Sequence, residues 1–155
     1  SRGLGDVYKR QPSPILLNEI SKVLADRLQS IEVKAGDIMR ELTEVKPSDS
    51  LYKICDLLLK GRRVILDGKC ITYKSMIQTV MRNPGIPLTA ISAADAVEEA
   101  VLVEEDESII KIAEILLENE IVIVSRKGAI VGAITKEDIA RTLKRYGGIP
   151  VKGGV

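Results

Sequence analysis

An internal repeat constrains this chain more than any other feature of its sequence. Asp37 aligns with Asp95, a separation of 58 residues, and the following segments then match in order. Five extra residues enter the second copy, after which Ile71-Thr72 aligns with Ile134-Thr135. A repeated unit of this size does not bury its apolar face alone. The sequence therefore predicts two similar halves packed together, with ligand sites in the clefts between them. Differences between the copies then indicate which cleft binds a ligand.

Hydrophobic periodicity and turn signals give both copies the order β-α-β-β-α, which is a mixed α/β fold. Asp67-Gly68 is a strong hairpin signal in the first copy. The predicted divisions of the chain are an N-terminal helix over 12–34, repeat one over 35–82, a linker over 83–92, repeat two over 93–146 and a tail over 147–155. In detail, the predicted strands are 42–45, 64–66, 70–72, 100–103, 121–124 and 129–134, and the predicted helices within the repeats are 51–60, 74–81, 107–119 and 136–146.

The first eleven residues are set aside from this prediction. Residues 6–11 read like the translation of a sequencing adaptor, and such segments are excluded from fold reasoning. The alternative is an ordinary polar tail. If the adaptor interpretation holds, the true N-terminus is missing, and an upstream domain could have been lost with it.

Composition excludes several classes of function. Aromatic residues make up 3% of the chain, which argues against stacking of single-stranded nucleic acid, and the net charge of +1 offers no basic surface for a duplex. The chain has no histidine and no apolar run of membrane-spanning length. Cys55 and Cys70 have neither disulfide-framework nor metal spacing, which is typical of a reduced cytoplasm. With no visible nucleophile–base pair, we expect no catalysis and no metal.

The segment Gly132 to Ile139 is the strongest candidate for binding chemistry. Thr135 is expected at the N-cap of the last helix, where free N–H groups and the helix dipole favour an anion. Asp138 projects from the first turn, where its carboxylate can accept hydrogen bonds from a vicinal diol such as ribose. Thr-x-x-Asp is also close to a capping box, which requires no ligand. The tetrapeptide by itself leaves both interpretations open.

The ordered set of segments resembles a known family. In repeat one the segments are 37–39, 45–51 and 64–69, and in repeat two they are 95–97, 103–109, 122–124 and 132–139. Together they are similar to the signature segments of a CBS domain, present twice between Ala35 and about Arg145. The pair resembles a Bateman module, in which two CBS repeats pack through their sheets about a pseudo-two-fold axis.

The resemblance implies a regulatory module that binds an adenosine compound, namely AMP, ADP, ATP or S-adenosylmethionine, between its repeats. In the cleft built on repeat two, Thr135 and Asp138 would hold the ribose. Further contacts implied by the resemblance are Ala133 and Ile134 as lining, Ile38, Leu42 and Thr43 toward the base, and Arg62 and Arg63 toward phosphate. The alternative for the two arginines is solvated charge at a helix end.

The mirror cleft departs from the family pattern. Ser75 stands where the ribose aspartate belongs, and Glu120 stands where the first cleft has arginines. We therefore expect this cleft to be empty or filled by apolar side chains, leaving one ligand per chain.

Three hypotheses remain open at this stage. The first is a ligand sensor, expected to be cytoplasmic and homodimeric through its helical faces. The apolar stripes of those helices are Leu51, Ile54 and Leu58 in repeat one and Ile109, Ile112 and Leu116 in repeat two, and they are equally explained as core. The second is a ligand-free interaction module. The third is the regulatory fragment of an enzyme, transporter or transcription regulator whose other domain is missing.

Overall fold

The computed structural model describes residues 32–146, and the predicted N-terminal helix and C-terminal tail lie outside or at the border of that range. Each repeat has the predicted order of elements. The strands are β1 Leu42–Glu44, β2 Arg63–Leu66, β3 Lys69–Ile71, β4 Val101–Glu104, β5 Ile121–Arg126 and β6 Ala129–Thr135. The helices are α1 Ala35–Ile38, α2 Leu51–Leu59, α3 Tyr73–Met81, α4 Ile109–Leu116 and α5 Lys136–Tyr146, with two short 3-10 turns at Leu88–Ala90 and Ala93–Ala96.

Serine caps set the beginning of the first long helix in each repeat. The Ser50 hydroxyl accepts a hydrogen bond from the Lys53 amide at 3.2 Å, and Ser108 accepts from the Lys111 amide at 3.3 Å. This type of cap satisfies one of the free amides of the first turn. It also explains why α4 is shorter than the predicted 107–119, because Glu107 lies before the cap.

Each repeat forms its own three-stranded sheet. In both, the first strand runs parallel to the second, and the second pairs antiparallel with the third. Both hairpins turn through two residues with positive φ, which are Asp67 at 51° and Gly68 at 76°, and Lys127 at 51° and Gly128 at 84°. Two successive left-handed residues are typical of the type I′ turn, whose twist matches that of the flanking strands.

The two repeats exchange the segments that lead into them. We call residues 33–40 and 91–98 the entry segments. The Ala35 amide donates to the Glu107 carbonyl at 2.8 Å, and the Ala93 amide donates to the Asp49 carbonyl at 2.7 Å. Each entry segment thus packs on the other repeat rather than on its own. The exchange places residues 35–40, the start of the predicted repeat one, beside the helices of repeat two.

The core explains the apolar helical stripes. Leu51, Ile54 and Ile112 are fully buried, and Leu58, Ile109 and Leu116 are at most 7% exposed. These side chains pack under the sheets of their own repeats and are not a dimer surface, so the prediction that they form one is wrong. A further cluster joins the two sheets and consists of Ile65, Cys70, Ile121, Ile123 and Ala133.

Candidate ligand-binding cleft

A cleft of about 840 Å³ lies between the first entry segment and α5. Among the described residues it is lined by Glu32, Val33, Asp37, Ile38, Met39, Arg40, Asp138, Arg141, Thr142, Lys144, Arg145 and Tyr146. Its volume is within the range of pockets that hold small molecules and cofactors. The Asp138 cleft, as we call it, therefore unites Ile38 and Asp138, two residues predicted from sequence as parts of one site.

Gly132 allows the entry segment to approach β6 closely. The Arg40 amide donates to the Ala133 carbonyl, and the Ala133 amide donates back to the Arg40 carbonyl, both at 2.9 Å. A Cβ atom on Gly132 would lie 2.8 Å from the Met39 sulfur and 3.0 Å from the Arg40 carbonyl oxygen. Only glycine leaves room for this contact, which brings Arg40 to the mouth of the cleft.

Asp138 lies in the first turn of α5, with 2% of its side chain exposed. One carboxylate oxygen, Oδ2, accepts from the Arg63 guanidinium at 2.5 Å and from the Thr135 amide at 3.0 Å. The other, Oδ1, accepts from Arg63 at 3.1 Å and from Arg141 at 2.8 Å, with Arg40 at 3.6 Å. The bond from Thr135 is one half of a capping box, so the capping interpretation is correct for this contact.

The two arginines predicted to bind phosphate are engaged elsewhere. Arg63 is buried with 7% exposure, forks onto Asp138 and also donates to the Ala133 carbonyl at 3.0 Å. Arg62 is half exposed and lies 3.8 Å from Glu41. Neither side chain lines the Asp138 cleft. The structure therefore does not place these two arginines in this cleft, because the buried Asp138 carboxylate and the Ala133 carbonyl hold three of the five N–H donors of Arg63.

The remaining predicted residues are divided between the cleft and its surroundings. Ala133 and Ile134 are fully buried beneath the cleft and do not line it. Leu42 lines a separate groove of about 360 Å³, and Thr43 pairs with Val64 inside the first sheet. The Thr135 hydroxyl is shielded from solvent and has no hydrogen-bond partner among the described residues. The prediction that this hydroxyl caps α5 is therefore wrong for the structure as described.

Sequence reasoning missed several cleft residues, which are Met39, Arg40, Arg141, Lys144 and Arg145. A signal existed for Arg141, which lies three residues after Asp138 and so on the same helix face. Arg40 directly follows the signature segment 37–39, but its partner in repeat two is remote in sequence. Lys144 and Arg145 extend the charged face of α5 along the cleft.

The mirror cleft is smaller, at about 220 Å³, and is lined by Thr72, Glu98, Glu99, Glu120 and Lys74 among others. Thr72 and Ser75 form a complete capping box, with the Ser75 amide donating to the Thr72 hydroxyl at 3.1 Å and the Thr72 amide donating to the Ser75 hydroxyl at 2.9 Å. The Thr72 hydroxyl also donates to the Glu98 carboxylate. The hydroxyl groups at this position are thus paired within the protein.

Within residues 32–146, no group of three or more His, Cys, Asp or Glu side chains is arranged to hold a metal ion. A membrane-spanning helix is also not found in that range.

Comparisons with known proteins agree with this architecture. Residues 92–151 match the CBS domain family model. A solved structure of an uncharacterized conserved protein from Pyrococcus horikoshii superposes with a TM-score of 0.62 at 21% identity, covering 73% of this chain and 93% of that one. A conserved CBS domain protein from Thermoplasma acidophilum gives a TM-score of 0.62 at 19% identity, covering 74% and 71%. A hexameric CBS-CP12 protein from bloom-forming cyanobacteria gives 0.59 at 14%, covering 71% and 67%. No curated protein matches the sequence.

The second half of the chain is therefore a CBS domain. The first half has the same elements around the same type of sheet, and residues 32–146 as a whole have the fold of solved CBS-domain proteins. CBS domains are generally regulatory or ligand-sensing modules.

Proposed function

We propose that this chain is a regulatory module, without catalytic activity, that binds one adenosine nucleotide in the Asp138 cleft and acts in the cytoplasm. AMP, ADP, ATP and S-adenosylmethionine are the candidate ligands. The proposal rests above all on one observation, which is that Asp138 lies in the wall of an 840 Å³ cleft together with Ile38 and Met39. Apolar side chains on one wall suit a base, and a carboxylate near them suits a ribose.

The charges of the cleft support an anionic ligand. Arg63 already neutralises Asp138 from beneath, so the exposed charges are four cations, Arg40, Arg141, Lys144 and Arg145, against Glu32 and Asp37. Arginine is the preferred partner of phosphate because its planar guanidinium donates two parallel hydrogen bonds. We therefore propose that these four cations, and not Arg62 and Arg63, contact the phosphate of the ligand.

Isothermal titration calorimetry with the four adenosine ligands and GMP tests the proposal. The expected result is about one site per chain, with an adenosine ligand preferred over GMP. Arg40→Ala should weaken AMP binding, because it removes a cation from the cleft wall. Arg62→Ala is the matched control and should leave binding unchanged, since Arg62 pairs with Glu41 outside the cleft. Two equivalent sites, a preference for GMP or no binding by any adenosine ligand would refute the proposal.

A second function, homodimerisation, is favoured by a different surface from the one predicted. The helices of repeat one expose a group of large apolar side chains, namely Tyr52, Leu59, Tyr73, Ile77, Val80 and Met81. The Tyr73 hydroxyl donates to the Leu58 carbonyl at 2.7 Å and so joins α2 to α3. In repeat two, by contrast, α5 presents mostly charged residues. A concentration of exposed apolar side chains on two neighbouring helices is typical of an interaction site.

We propose that a second copy of the chain covers this surface through a two-fold axis, because an isologous contact pairs one apolar face with its own copy. The hexameric cyanobacterial protein shows that a chain of this fold can assemble. Light scattering should give a dimer for the wild type and a monomer for Ile77→Glu/Met81→Glu. Leu102→Glu is the matched control, since Leu102 is similarly exposed at 53% but lies on β4. A wild type that remains monomeric at all concentrations would exclude the dimer.

A further inference from the structure

The Asp138 carboxylate has no free acceptor site. A carboxylate offers about four lone-pair positions. Four hydrogen bonds of 3.1 Å or less already fill them, two from Arg63, one from the Thr135 amide and one from Arg141. A ribose hydroxyl can donate to Asp138 only after one of these donors has left.

The donors differ in their freedom to leave. Arg63 is buried and is also held by the Ala133 carbonyl, and the Thr135 amide belongs to the main chain. The Arg141 side chain is 44% exposed, and its second nitrogen bonds Glu137, whose side chain is 70% exposed. The pair with Glu137 joins two exposed side chains and so contributes little to holding Arg141 in place. Arg141 is therefore the donor that a ligand can displace.

We propose that Arg141 is the specificity-determining residue of the Asp138 cleft and selects phosphorylated adenosine ligands over the uncharged nucleoside. This inference rests on the proposed function. In the structure Arg141 covers Oδ1 of Asp138, and a ribose hydroxyl that takes its place displaces the guanidinium. A ligand with a phosphate gives the released guanidinium a new anionic partner. Adenosine also displaces Arg141 but has no anionic group with which the released guanidinium can pair.

The surroundings of Arg141 suit this exchange. Lys144 and Arg145 line the same cleft one turn further along α5, so a phosphate there meets more than one cation. In repeat one, the position 63 residues earlier is Gln78, which carries no charge. The selection device is thus present only in the repeat that has the aspartate.

Calorimetry of Arg141→Ala with AMP and with adenosine tests the inference. AMP affinity should fall by about 10-fold or more, the effect of losing a charge-assisted hydrogen bond. Adenosine affinity should stay the same or rise, because Oδ1 is then uncovered. The AMP-to-adenosine affinity ratio should therefore fall by at least about 10-fold. Arg126→Ala is the matched control, since Arg126 is a half-exposed arginine of the same repeat paired with Glu105. It should leave the ratio unchanged.

The outcomes separate this inference from the proposed function. Equal loss of AMP and adenosine binding in Arg141→Ala would overturn the inference, because Arg141 would then only position Asp138. An unchanged ratio would overturn it as well, while wild-type binding of AMP would still support the proposed function. Binding by neither the wild type nor the variant would overturn both. A wild type that fails to bind adenosine and an Arg141→Ala variant that binds it would support the covering role of Arg141.

Discussion

The two clefts between the repeats have the same backbone frame and opposite side-chain chemistry. Arg40 pairs with the main chain of Ala133 on one side, and Glu98 pairs with the main chain of Cys70 on the other, through hydrogen bonds of 2.8 to 3.0 Å. Asp138 in the first cleft corresponds to Ser75 in the second, 63 residues earlier. The first cleft combines a buried carboxylate with arginines, whereas the second combines a hydroxyl with carboxylates.

The two clefts thus differ in how their polar side chains are paired, although the fold around them is the same. In the mirror cleft, Thr72, Ser75 and Glu98 satisfy one another's hydrogen bonds. In the Asp138 cleft, the Thr135 hydroxyl lacks a partner and the exposed arginines lie along an open wall. Polar groups that hydrogen-bond within the protein gain little from a ligand. A buried polar group without a partner gains a hydrogen bond when a ligand supplies one. The experiments below test this contrast.

The largest effect is expected from Asp138→Ser, which places the residue of the mirror cleft in the Asp138 cleft. The substitution leaves the buried Arg63 guanidinium without its anion, and should lower the free energy of unfolding by about 3–5 kcal/mol. Denaturation in urea measures the change. The double variant Arg63→Ile/Asp138→Ser copies both residues of the mirror cleft, Ile121 and Ser75, and should recover most of the loss.

The same experiment has an internal control in Ser75→Ala. This substitution removes only neutral hydrogen bonds, which the Ser75 hydroxyl makes with the amide and the carbonyl of Thr72, and should cost about 0.5–1.5 kcal/mol. If Asp138→Ser cost no more than Ser75→Ala, the buried ion pair would not be the feature that distinguishes the two clefts.

An intermediate effect is expected from the paired substitutions Thr72→Val and Thr135→Val. The Thr72 hydroxyl caps α3, and its loss should lower the free energy of unfolding by about 0.5–2 kcal/mol. The Thr135 hydroxyl makes no hydrogen bond within the described residues, so its loss should leave the unliganded protein as stable or slightly more stable. Urea denaturation of both variants without ligand makes the comparison. Equal losses in the free energy of unfolding would contradict the difference in hydrogen bonding between the two threonines.

The smallest effect concerns the thiol at the centre of the interface between the sheets. Burial, and then the nearby Glu98 carboxylate, raise the pKa of Cys70 from 9.0 to about 12. Because the folded state holds this proton more tightly than the unfolded state, stability should fall as pH rises from about 9 toward 12. Cys70→Ala copies Ala133 of the other repeat and should show a weaker decline over that range.

Thiol labelling near neutral pH provides the second measurement for Cys70. The half-buried Cys55 should react with a disulfide reagent well before Cys70, which is 1% exposed. Comparable reaction rates for the two thiols would contradict the assigned burial and raised pKa of Cys70.

Sequence reasoning reached the repeat and the order of elements, because both depend on local pattern and on the alignment of the two copies. That Ile38 and Asp138 belong to one site was implied by the resemblance to a CBS domain. It failed where a side chain had more than one possible partner. The apolar stripes of α2 and α4 were open between core and dimer, and only packing assigned them to the core. Arg63 was assigned to a ligand because the sequence does not show that it reaches Asp138, 75 residues away.

The sequence by itself determined that the chain has two unequal halves and that the aspartate, Asp138, is present in only one of them. Periodicity, turn residues and the aligned segments carry that information, since they act through neighbours along the chain. The tertiary structure alone decided which charges meet. The exchange of entry segments brings Arg40 beside β6, and the joining of the sheets brings Arg63 to Asp138. Arg63 is buried there, whereas Arg40 and Arg141 approach the same carboxylate from exposed positions. How strongly each of these three arginines interacts with the Asp138 carboxylate depends on its distance and its burial. Both are defined only in the folded chain.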